Sequence, residues 1–259
     1  MNLLTQFKDY VLCAGTLAST KQDALSIFWQ ETKNFRVRMK VAKHHPQKIY
    51  SINTLFGKLY FRDNFGDITN LVNLLYRQEY RIKNLQAPGV ILDAGANIGM
   101  AAVWFNYYNP DRDFFCFEPL AANTEMIRLN CPRAKIFQTA LGSRETNINL
   151  RVDANQVMAS AVPCAWDTKD QQFPVTTLDA IGQQENWKEI ALLKMDVEGM
   201  EVEIFQGASE TLTNTHHVIV ETHTAELHQQ TVKILTHAGF KIDSENRKQN
   251  TGLLFASRS

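Results

Sequence analysis

The stretch Val90-Ile91-Leu92-Asp93-Ala94-Gly95-Ala96-Asn97-Ile98-Gly99 decides the expected fold. Its first three residues are aliphatic and predict a buried strand, and the pattern from Ile98 to Tyr107 predicts a helix after the loop. Gly95 and Gly99 lie in that loop, where they allow a ligand to approach the backbone closely. In an open parallel sheet, ligands bind beyond the carboxyl ends of the strands. The stretch therefore predicts a ligand site at this end of a sheet.

After Pro88 the chain alternates short apolar runs with helical patterns, which is typical of a mostly parallel sheet covered on both faces. We expect seven strands, at Val90–Leu92, Phe114–Phe117, Lys135–Phe137, Ile190–Met195, Val218–Val220, Phe240–Ile242 and Gly252–Ala256. We expect further helices at Ala121–Asn130, from about Glu201, and at Ala225–Ala238. The last two strands have a short connection, which indicates an antiparallel hairpin because parallel strands need a long crossover. The expected fold class is α/β and Rossmann-like, with a seven-stranded, mostly parallel sheet and a C-terminal antiparallel hairpin.

Residues 1–86 have a less regular pattern than residues 87–259. Gln22–Glu31 predicts a helix, a hairpin is expected to turn near Gly57, and Asp67 is expected to cap a further helix. We therefore expect an N-terminal helical and hairpin cap over residues 1–86 and a ligand-binding domain over residues 87–259. Within that domain, the β-like segments near 147–152 and 173–175 fall outside the alternation, and residues 153–173 are expected to form part of the substrate wall.

The residues around the loop select the class of cofactor. A dinucleotide fold requires GxGxxG, so that a pyrophosphate can lie against the helix N-terminus. Counting from Gly95, this chain has Asn97 and Met100 instead of the second and third glycines, so a nicotinamide-dependent oxidoreductase is the less favoured alternative. Asp93 suits a cationic amino-acid moiety, and Glu118, which ends the second strand, can accept hydrogen bonds from two ribose hydroxyls. These features predict S-adenosylmethionine (SAM), against the simpler alternative of a tight turn with a capping aspartate.

Composition excludes several classes of partner. The 259 residues include 27 basic and 27 acidic side chains, so we expect no nucleic-acid partner, because non-specific binding there depends on clustered positive charge. The four cysteines form no CxxC pair, which favours a reducing, cytoplasmic setting. No apolar run approaches the roughly 20 residues that span a bilayer, so no membrane partner is expected. The sequence does not indicate the oligomeric state.

Several segments in order resemble the FkbM family of class I SAM-dependent methyltransferases. The segments that carry this resemblance are Gln78–Arg81, Leu92–Gly99, Phe117–Pro119 with Asn123 and Asn130, Thr176–Asp179, Leu193–Glu201, Gly207–Ala208 and Val220–Glu221. The resemblance covers about residue 67 to residue 258, and Lys-Met-Asp-Val-Glu-Gly is its most specific part. Met195 and Met200 depart from the residues that are frequent in the family, and residues 1–66 have no counterpart that we identify.

The resemblance implies a class I methyltransferase fold and O-methylation of a hydroxyl on a natural product or sugar. By the same resemblance, Asp93, Gly95 and Asn97 would line the methionine end of SAM. Glu118 would hold the ribose, and the turn at Ala140-Leu141 would lie near the adenine. The partner expected is therefore a small-molecule or carbohydrate hydroxyl acceptor, whose identity the sequence leaves open.

Candidate catalytic residues follow the strand 190–195, at the same edge as the cofactor loop. Methylation of an alcohol needs an aligned nucleophile and a group that takes its proton. Asp196 is the first candidate for that group and His223 the second, since the pKa of histidine lies near working pH. Glu198 is a third candidate, although Glu198 and Glu201 would also favour the N-terminus of the following helix. Lys194 is expected to pair with one of the neighbouring acids rather than to act in catalysis.

The sequence requires no metal. An alternative places Mg²⁺ against the substrate oxygen, held by Asp196, Glu198 or Glu221, but carboxylates at loop mouths are common without an ion. A second alternative is a SAM-binding module without turnover that acts as a regulatory partner. That module would keep Asp93 and Glu118 but would not need the intact Asp-Val-Glu-Gly segment.

Overall fold

The computed structural model describes residues 3–38, 43, 45–153, 158–161, 168–248 and 251–258. The helices of this part are α1 (Leu3–Leu17), α2 (Lys21–Arg38), α3 (Phe65–Leu71), α4 (Met100–Tyr108), α5 (Ala121–Asn130), α6 (Leu178–Glu185), α7 (Glu201–Gln206), α8 (Ser209–Thr213) and α9 (Ala225–His237). The strands are β1 (His45–Thr54), β2 (Gly57–Asp63), β3 (Val90–Ala94), β4 (Phe114–Phe117), β5 (Lys135–Phe137), β6 (Ala140–Leu141), β7 (Thr146–Asp153), β8 (Ala159–Ser160), β9 (Thr168–Thr176), β10 (Ile190–Met195), β11 (Thr215–Thr222), β12 (Lys241–Lys248) and β13 (Thr251–Ser257).

A mixed sheet of seven strands forms the centre of the molecule, in the order β12-β13-β11-β10-β3-β4-β5. The neighbours from β11 to β5 pair in parallel, while β13 is antiparallel to both β11 and β12. The expectation of an α/β fold is confirmed. Because the chain leaves β3 towards β4 and β5 and later returns on the other side as β10 and β11, the carboxyl end of β3 is a topological switch point.

The core lies on both faces of this sheet, because successive strand residues point in opposite directions. In β3, Ile91 belongs to one buried cluster and Leu92 to the other. In β10, Leu192 and Leu193 divide in the same way. This arrangement explains why the strands are near-continuously apolar, since neither face is exposed to water.

The N-terminal segment packs against one of these two faces. Leu17, Ile52 and Phe61 are buried in the same cluster as Trp104 of α4, and β1 and β2 form the predicted hairpin around Gly57. The helix expected at residues 22–31 extends over Lys21–Arg38. The segment therefore covers the face of the sheet that carries α4.

The helix that we expected Asp67 to cap begins earlier. Asn64 is the N-cap residue, and its side chain accepts a hydrogen bond from the backbone N–H of Asp67 at 2.8 Å. The Asp67 carboxylate is instead buried and pairs with Arg62 through two hydrogen bonds of 2.9 Å. Beyond α3 the chain continues as a π-helix over Val72–Tyr76.

A second sheet of four strands, in the order β6-β9-β7-β8, was not predicted. The segments of β character near 147–152 and 173–175 pair with each other as β7 and β9, antiparallel over the whole of β7. Of the segment expected to form the substrate wall, Met158 and Ala159 line a cavity described below, while Trp166 lies outside the described residues. No helix in the described part of the chain is long and apolar enough to cross a bilayer.

Candidate functional site

A cavity of about 370 Å³ opens at the carboxyl ends of β3, β4, β10 and β11. Its wall contains residues of the loop after β3 and side chains from the ends of β4, β10 and β11. The polar and charged lining residues are Asn70, Asn73, Glu79, Asn97, Glu118, Asn123, Thr139, Lys194, Asp196, Glu198, Glu221 and His223. The site therefore lies at the switch point, where the stretch beginning at Val90 placed it.

Gly95 forms the turn at the bottom of this cavity. Its φ is +76°, and a Cβ atom at this position would lie 1.8 Å from the backbone oxygen of Asp196. The N–H groups of Gly95 and Ala96 both donate to the carbonyl of Phe117, at 3.0 and 3.1 Å. The loop is thus bound tightly to the two neighbouring strand ends, and only glycine fits where the chains come together.

Asn97 and Gly99 also have left-handed backbone conformations, with φ values of +50° and +85°. Asn97 lines the cavity, and its backbone N–H donates to Glu118 Oε2 at 2.9 Å. Gly99 is the N-cap residue of α4 and packs against Ile127 rather than lining the cavity. Gly99 therefore shapes the start of the helix, whereas Asn97 connects the loop to Glu118.

Asp93 occupies a different position from the one that the sequence suggested. Its side chain is fully buried, and Oδ1 lies 2.8 Å from the Lys194 ammonium. Lys194 therefore pairs with a neighbouring acid, as expected from the sequence. Asp93 is not among the residues that line the cavity. Lys194 Nζ also donates to the carbonyl of Gly95 at 2.8 Å. The pair therefore supports the glycine turn from behind.

Glu118 lies at the end of β4 with both carboxylate oxygens engaged. Besides the bond from Asn97, its Oε1 accepts the backbone N–H of Leu120 at 3.0 Å. Burial raises the pKa of Glu118 to about 7, although hydrogen bonds from Leu120, Asn123 and Asn97 oppose the shift. Arg62 donates to Asn123 Oδ1 at 2.8 Å. A chain of contacts therefore joins the N-terminal hairpin to Glu118.

Ala140 and Leu141 form the short strand β6 and line the cavity beside Thr139. Both residues are buried. The structure thus brings this turn to the same cavity as Glu118, on the side of β4 and β5.

The opposite side of the cavity contains the three candidate catalytic residues. Asp196 and Glu198 follow β10, and His223 follows β11. His223 Nε2 lies 3.5 Å from Asp196 Oδ1 and 3.4 Å from Glu198 Oε2. Its other nitrogen, Nδ1, is 2.6 Å from Oε1 of Glu201, which is fully buried. The structure therefore brings all three candidates together and adds Glu201 as the residue that fixes the ring.

The charges in this group shift each other's pKa values. Burial lowers the pKa of His223, but the hydrogen bond with Glu201 and the charges of Asp196 and Glu198 outweigh burial and raise it to about 10. Burial and the charge of Asp196 raise the pKa of Glu198 to about 7, against the effect of His223. The charge of Asp196, followed by burial, raises the pKa of Glu221 to about 8. His223 is therefore protonated near neutral pH, and the carboxylates around it compete for protons.

Several lining residues come from the chain before the sheet. Glu79 and Tyr80 face the cavity, as do Asn70 and Asn73 of the preceding helical segment. The segment Gln78-Glu79-Tyr80-Arg81 contributes to the family resemblance, but the sequence predicted no role for it in the site. Glu201 was predicted only as an acid at the start of a helix. No local pattern links Glu201 to His223, because the two residues lie 22 positions apart on different elements.

Comparison with known proteins gives this geometry a context. Residues 93–242, more than half of the chain, match the model of the family described as Methyltransferase FkbM domain. A 2-O-methyltransferase, NoeI of Sinorhizobium fredii (strain NBRC 101917 / NGR234), is 29% identical over 163 residues, covering 54% of this chain and 65% of that protein. Methyltransferase 1 of Beauveria bassiana (strain ARSEF 2860) is 26% identical over 159 residues, covering 51% and 63%. The chain thus spans less than two thirds of either relative. A crystal structure of Methyltransferase FkbM from Methylobacillus flagellatus KT overlays with a TM-score of 0.46 at 13% identity, covering 98% of this chain and 59% of that one.

Proposed function

The chain belongs to the family of methyltransferases with the FkbM domain, and on that premise we propose that it transfers a methyl group from SAM to a hydroxyl group of a small molecule or sugar. One observation carries the proposal. A single cavity is lined by the glycine turn after β3, by Glu118 at the end of β4 and by Asp196 after β10. The family implies SAM as the methyl donor, which supports the interpretation of this cavity as the donor site.

The residues present fit SAM. Gly95 lines the cavity without a side chain, so a ligand can approach its backbone closely. Glu118 borders the cavity with a carboxylate, the group best suited to accept two ribose hydroxyls. The cavity volume of about 370 Å³ lies in the ordinary range for small-molecule sites. Glu118, Gly95 and Asn97 would hold the donor, with Ala140 and Leu141 at its adenine end.

The charge of the cavity wall favours a cationic ligand. Five acidic side chains line it, from Glu79, Glu118, Asp196, Glu198 and Glu221, against the two cations of Lys194 and His223. The raised pKa values of Glu118, Glu198 and Glu221 leave part of this negative charge neutralised near pH 7, and the remaining balance is negative. SAM carries an ammonium and a sulfonium, which such a wall attracts. Asp93 contributes indirectly, because it holds Lys194 against the carbonyl of Gly95.

Asp196 is the residue that we assign to the acceptor hydroxyl. SAM supplies a methyl group on a sulfonium, whose sulfur takes the electron pair of the breaking carbon–sulfur bond. The acceptor oxygen forms the new bond to carbon, so its proton must go to a base. Because the pKa of His223 is raised to about 10, this histidine is already protonated near neutral pH and cannot act as the base. Asp196, one third exposed in the cavity, can orient the hydroxyl and accept that proton.

The acceptor class follows from the lining and from the relatives. Asn70 and Asn73, which have no part in holding the donor, border the cavity, and amide side chains both donate to and accept from hydroxyl groups. A relative that is named a 2-O-methyltransferase supports oxygen as the atom that is methylated. Both features favour a polyhydroxylated acceptor such as a sugar.

Calorimetry with SAM, S-adenosylhomocysteine and NAD tests the donor. We expect binding of the first two and none of the third. Binding of NAD alone would refute the proposal in favour of an oxidoreductase, and binding of neither adenosyl compound would remove its foundation.

Mass spectrometry across a panel of glycans and natural products tests turnover, by the gain of one methyl group. We expect Asp196→Asn to keep SAM affinity while turnover falls by roughly a hundredfold or more. Glu203→Gln, on an exposed helix position outside the cavity, is the matched control and keeps full turnover. SAM binding without methylation of any panel member would favour the regulatory binding module, and an unchanged rate in Asp196→Asn would exclude Asp196 as the base.

A further inference from the structure

The donor atoms of three cavity residues converge without bonding directly to one another. His223 Nε2 lies 3.5 Å from Asp196 Oδ1 and 3.4 Å from Glu198 Oε2. All three donor atoms lie within 4.8 Å of one another. A hydrogen bond between an imidazolium and a carboxylate is shorter, about 2.7–2.9 Å. The imidazole edge therefore faces two carboxylates across a gap.

The two distances from His223 Nε2 are compatible with those between neighbouring ligands of one metal ion. An ion with bonds of about 2.1 Å to nitrogen and oxygen separates its tetrahedral ligands by about 3.4 Å. An octahedral ion with bonds of about 2.1 Å separates adjacent ligands by about 3.0 Å. The observed distances of 3.4 and 3.5 Å match the tetrahedral arrangement more closely.

Glu201 supplies a second, independent feature of a metal site. A histidine that binds a metal through one nitrogen usually gives its other N–H to a carboxylate, which fixes the tautomer and the ring orientation. His223 Nδ1 lies 2.6 Å from Glu201 Oε1, and the N–H of Gly199 donates to the same oxygen at 3.1 Å. Because Glu201 is fully buried, the ring is held with Nε2 directed at Asp196 and Glu198.

The backbone at Glu198 is also held in an unusual conformation. Its φ is +52°, a region that residues with a side chain seldom adopt. Its carbonyl accepts hydrogen bonds from the N–H of Ala161 at 3.0 Å and from Ser160 Oγ at 3.3 Å. The small sheet therefore maintains a strained residue whose side chain borders the gap, and such strain is concentrated at ligand sites.

We propose that Asp196, Glu198 and His223 bind a divalent transition-metal ion of the Zn²⁺ class, through one carboxylate oxygen each and Nε2. Imidazole nitrogen together with carboxylate oxygen suits such an ion better than Mg²⁺, which prefers oxygen ligands alone. This set differs from the Mg²⁺ alternative drawn from the sequence, because His223 takes part and Glu221 does not. The ion replaces the proton on Nε2, as metal binding to histidine requires.

Three protein ligands leave a fourth position open towards the cavity, as in catalytic zinc sites. This part of the inference rests on the proposed function. An acceptor hydroxyl in the fourth position would be acidified by the ion, and its proton would pass to the carboxylate oxygen of Asp196 that does not bind the ion. The hydroxyl oxygen would then take the methyl group, while the sulfur of the donor keeps the electron pair of the breaking carbon–sulfur bond. Metal binding itself does not depend on methyl transfer and is measured separately.

Cobalt substitution tests the site directly. The full chain is stripped with a chelator, titrated with Co²⁺, and followed by visible absorption, because tetrahedral Co²⁺ absorbs far more strongly than octahedral Co²⁺. We expect one equivalent with the intense tetrahedral bands, displaced by Zn²⁺ and not by Mg²⁺. His223→Ala and Glu198→Gln should abolish the bands, and Glu201→Gln should weaken Co²⁺ binding about 10–100-fold.

His216→Ala is the matched control, since His216 also pairs with a glutamate, Glu189, at 2.6 Å but on the exposed surface. It should leave the titration unchanged. Circular dichroism shows whether each variant is folded. If His223→Ala does not fold, Glu198→Gln provides the test of the ligand set. Absence of the bands in the wild type, or equal binding by wild type and a folded ligand variant, would overturn the proposal. Calorimetry with SAM on metal-free protein tests the donor site separately from the metal site. If SAM does not bind, the proposed function fails, but the cobalt titration still tests metal binding.

Discussion

The affinity for SAM should depend on pH through a single buried carboxyl group. Burial raises the pKa of Glu118 to about 7, and its carboxylate already accepts two backbone N–H groups. Ribose hydroxyls donate more strongly to the ionised form. We therefore expect binding to be weak where Glu118 is protonated, and to tighten as the pH rises through about 7.

The size of the effect follows from that pKa. With a pKa of about 7, roughly a tenth of Glu118 is ionised at pH 6 and roughly nine tenths at pH 8. If only the ionised form binds, the dissociation constant falls about tenfold between these values, or ~1.4 kcal/mol. A glutamate with its ordinary pKa would be ionised at both and would give no change.

Calorimetry at pH 6, 7 and 8 measures the profile, with Glu118→Gln as the test variant. Glu198 and Glu221 line the same cavity and have pKa values of about 7 and 8. The pH dependence of SAM binding by the wild type therefore cannot by itself be assigned to Glu118. The difference between wild type and Glu118→Gln isolates Glu118, and Glu203→Gln provides the control for removing a carboxylate elsewhere. Weaker binding with a flat profile is expected for Glu118→Gln. A wild-type slope that persists in this variant would refute the assignment of the pH dependence to Glu118.

Two further predictions concern the support of the glycine turn. Gly95→Ala should destabilise the protein far more than Gly239→Ala. Both glycines have positive φ, but only at Gly95 would the new Cβ atom clash with backbone, 1.8 Å from the carbonyl oxygen of Asp196. We expect about 1–2 kcal/mol for Gly239→Ala and several times that for Gly95→Ala, by urea unfolding. Lys194→Met should cost about 3–5 kcal/mol, since it leaves Asp93 buried without its cation. Adding Asp93→Asn should recover part of the loss, and simple additivity of the two changes would contradict the pairing.

Two fully buried strands, β4 and β10, were predicted from the sequence with the bounds that the structure has, whereas β3 and β11 are longer than predicted. The strand at Ile190–Met195 was expected with the bounds that the structure has, because all six residues are buried and the apolar run is continuous. The small sheet could not be recognised. Its strands β7 and β9 are largely exposed, so their sequences have no continuous apolar run, and their pairing joins residues that are far apart in the chain.

The candidate site was predicted in position but not in detail. The edge of the sheet was correct, because parallel strand ends meet there. The orientation of Asp93 was not readable, since it depends on Lys194 of the neighbouring strand, which lies opposite it in register. The sequence ranked Asp196 above His223 as the base, and that ranking stays a prediction. The carboxylates around His223 favour it, because their charges keep the histidine protonated near neutral pH.

The residues that line the cavity come both from the part of the chain that matches the family and from the part before it. The family match begins at residue 93, yet Asn70, Asn73, Glu79 and Tyr80 border the cavity and precede it. Arg62, also upstream, reaches Asn123, and so acts on the ribose side as well. Residues upstream of the family match therefore line the cavity as well, and under the proposed function we expect acceptor choice to depend on them.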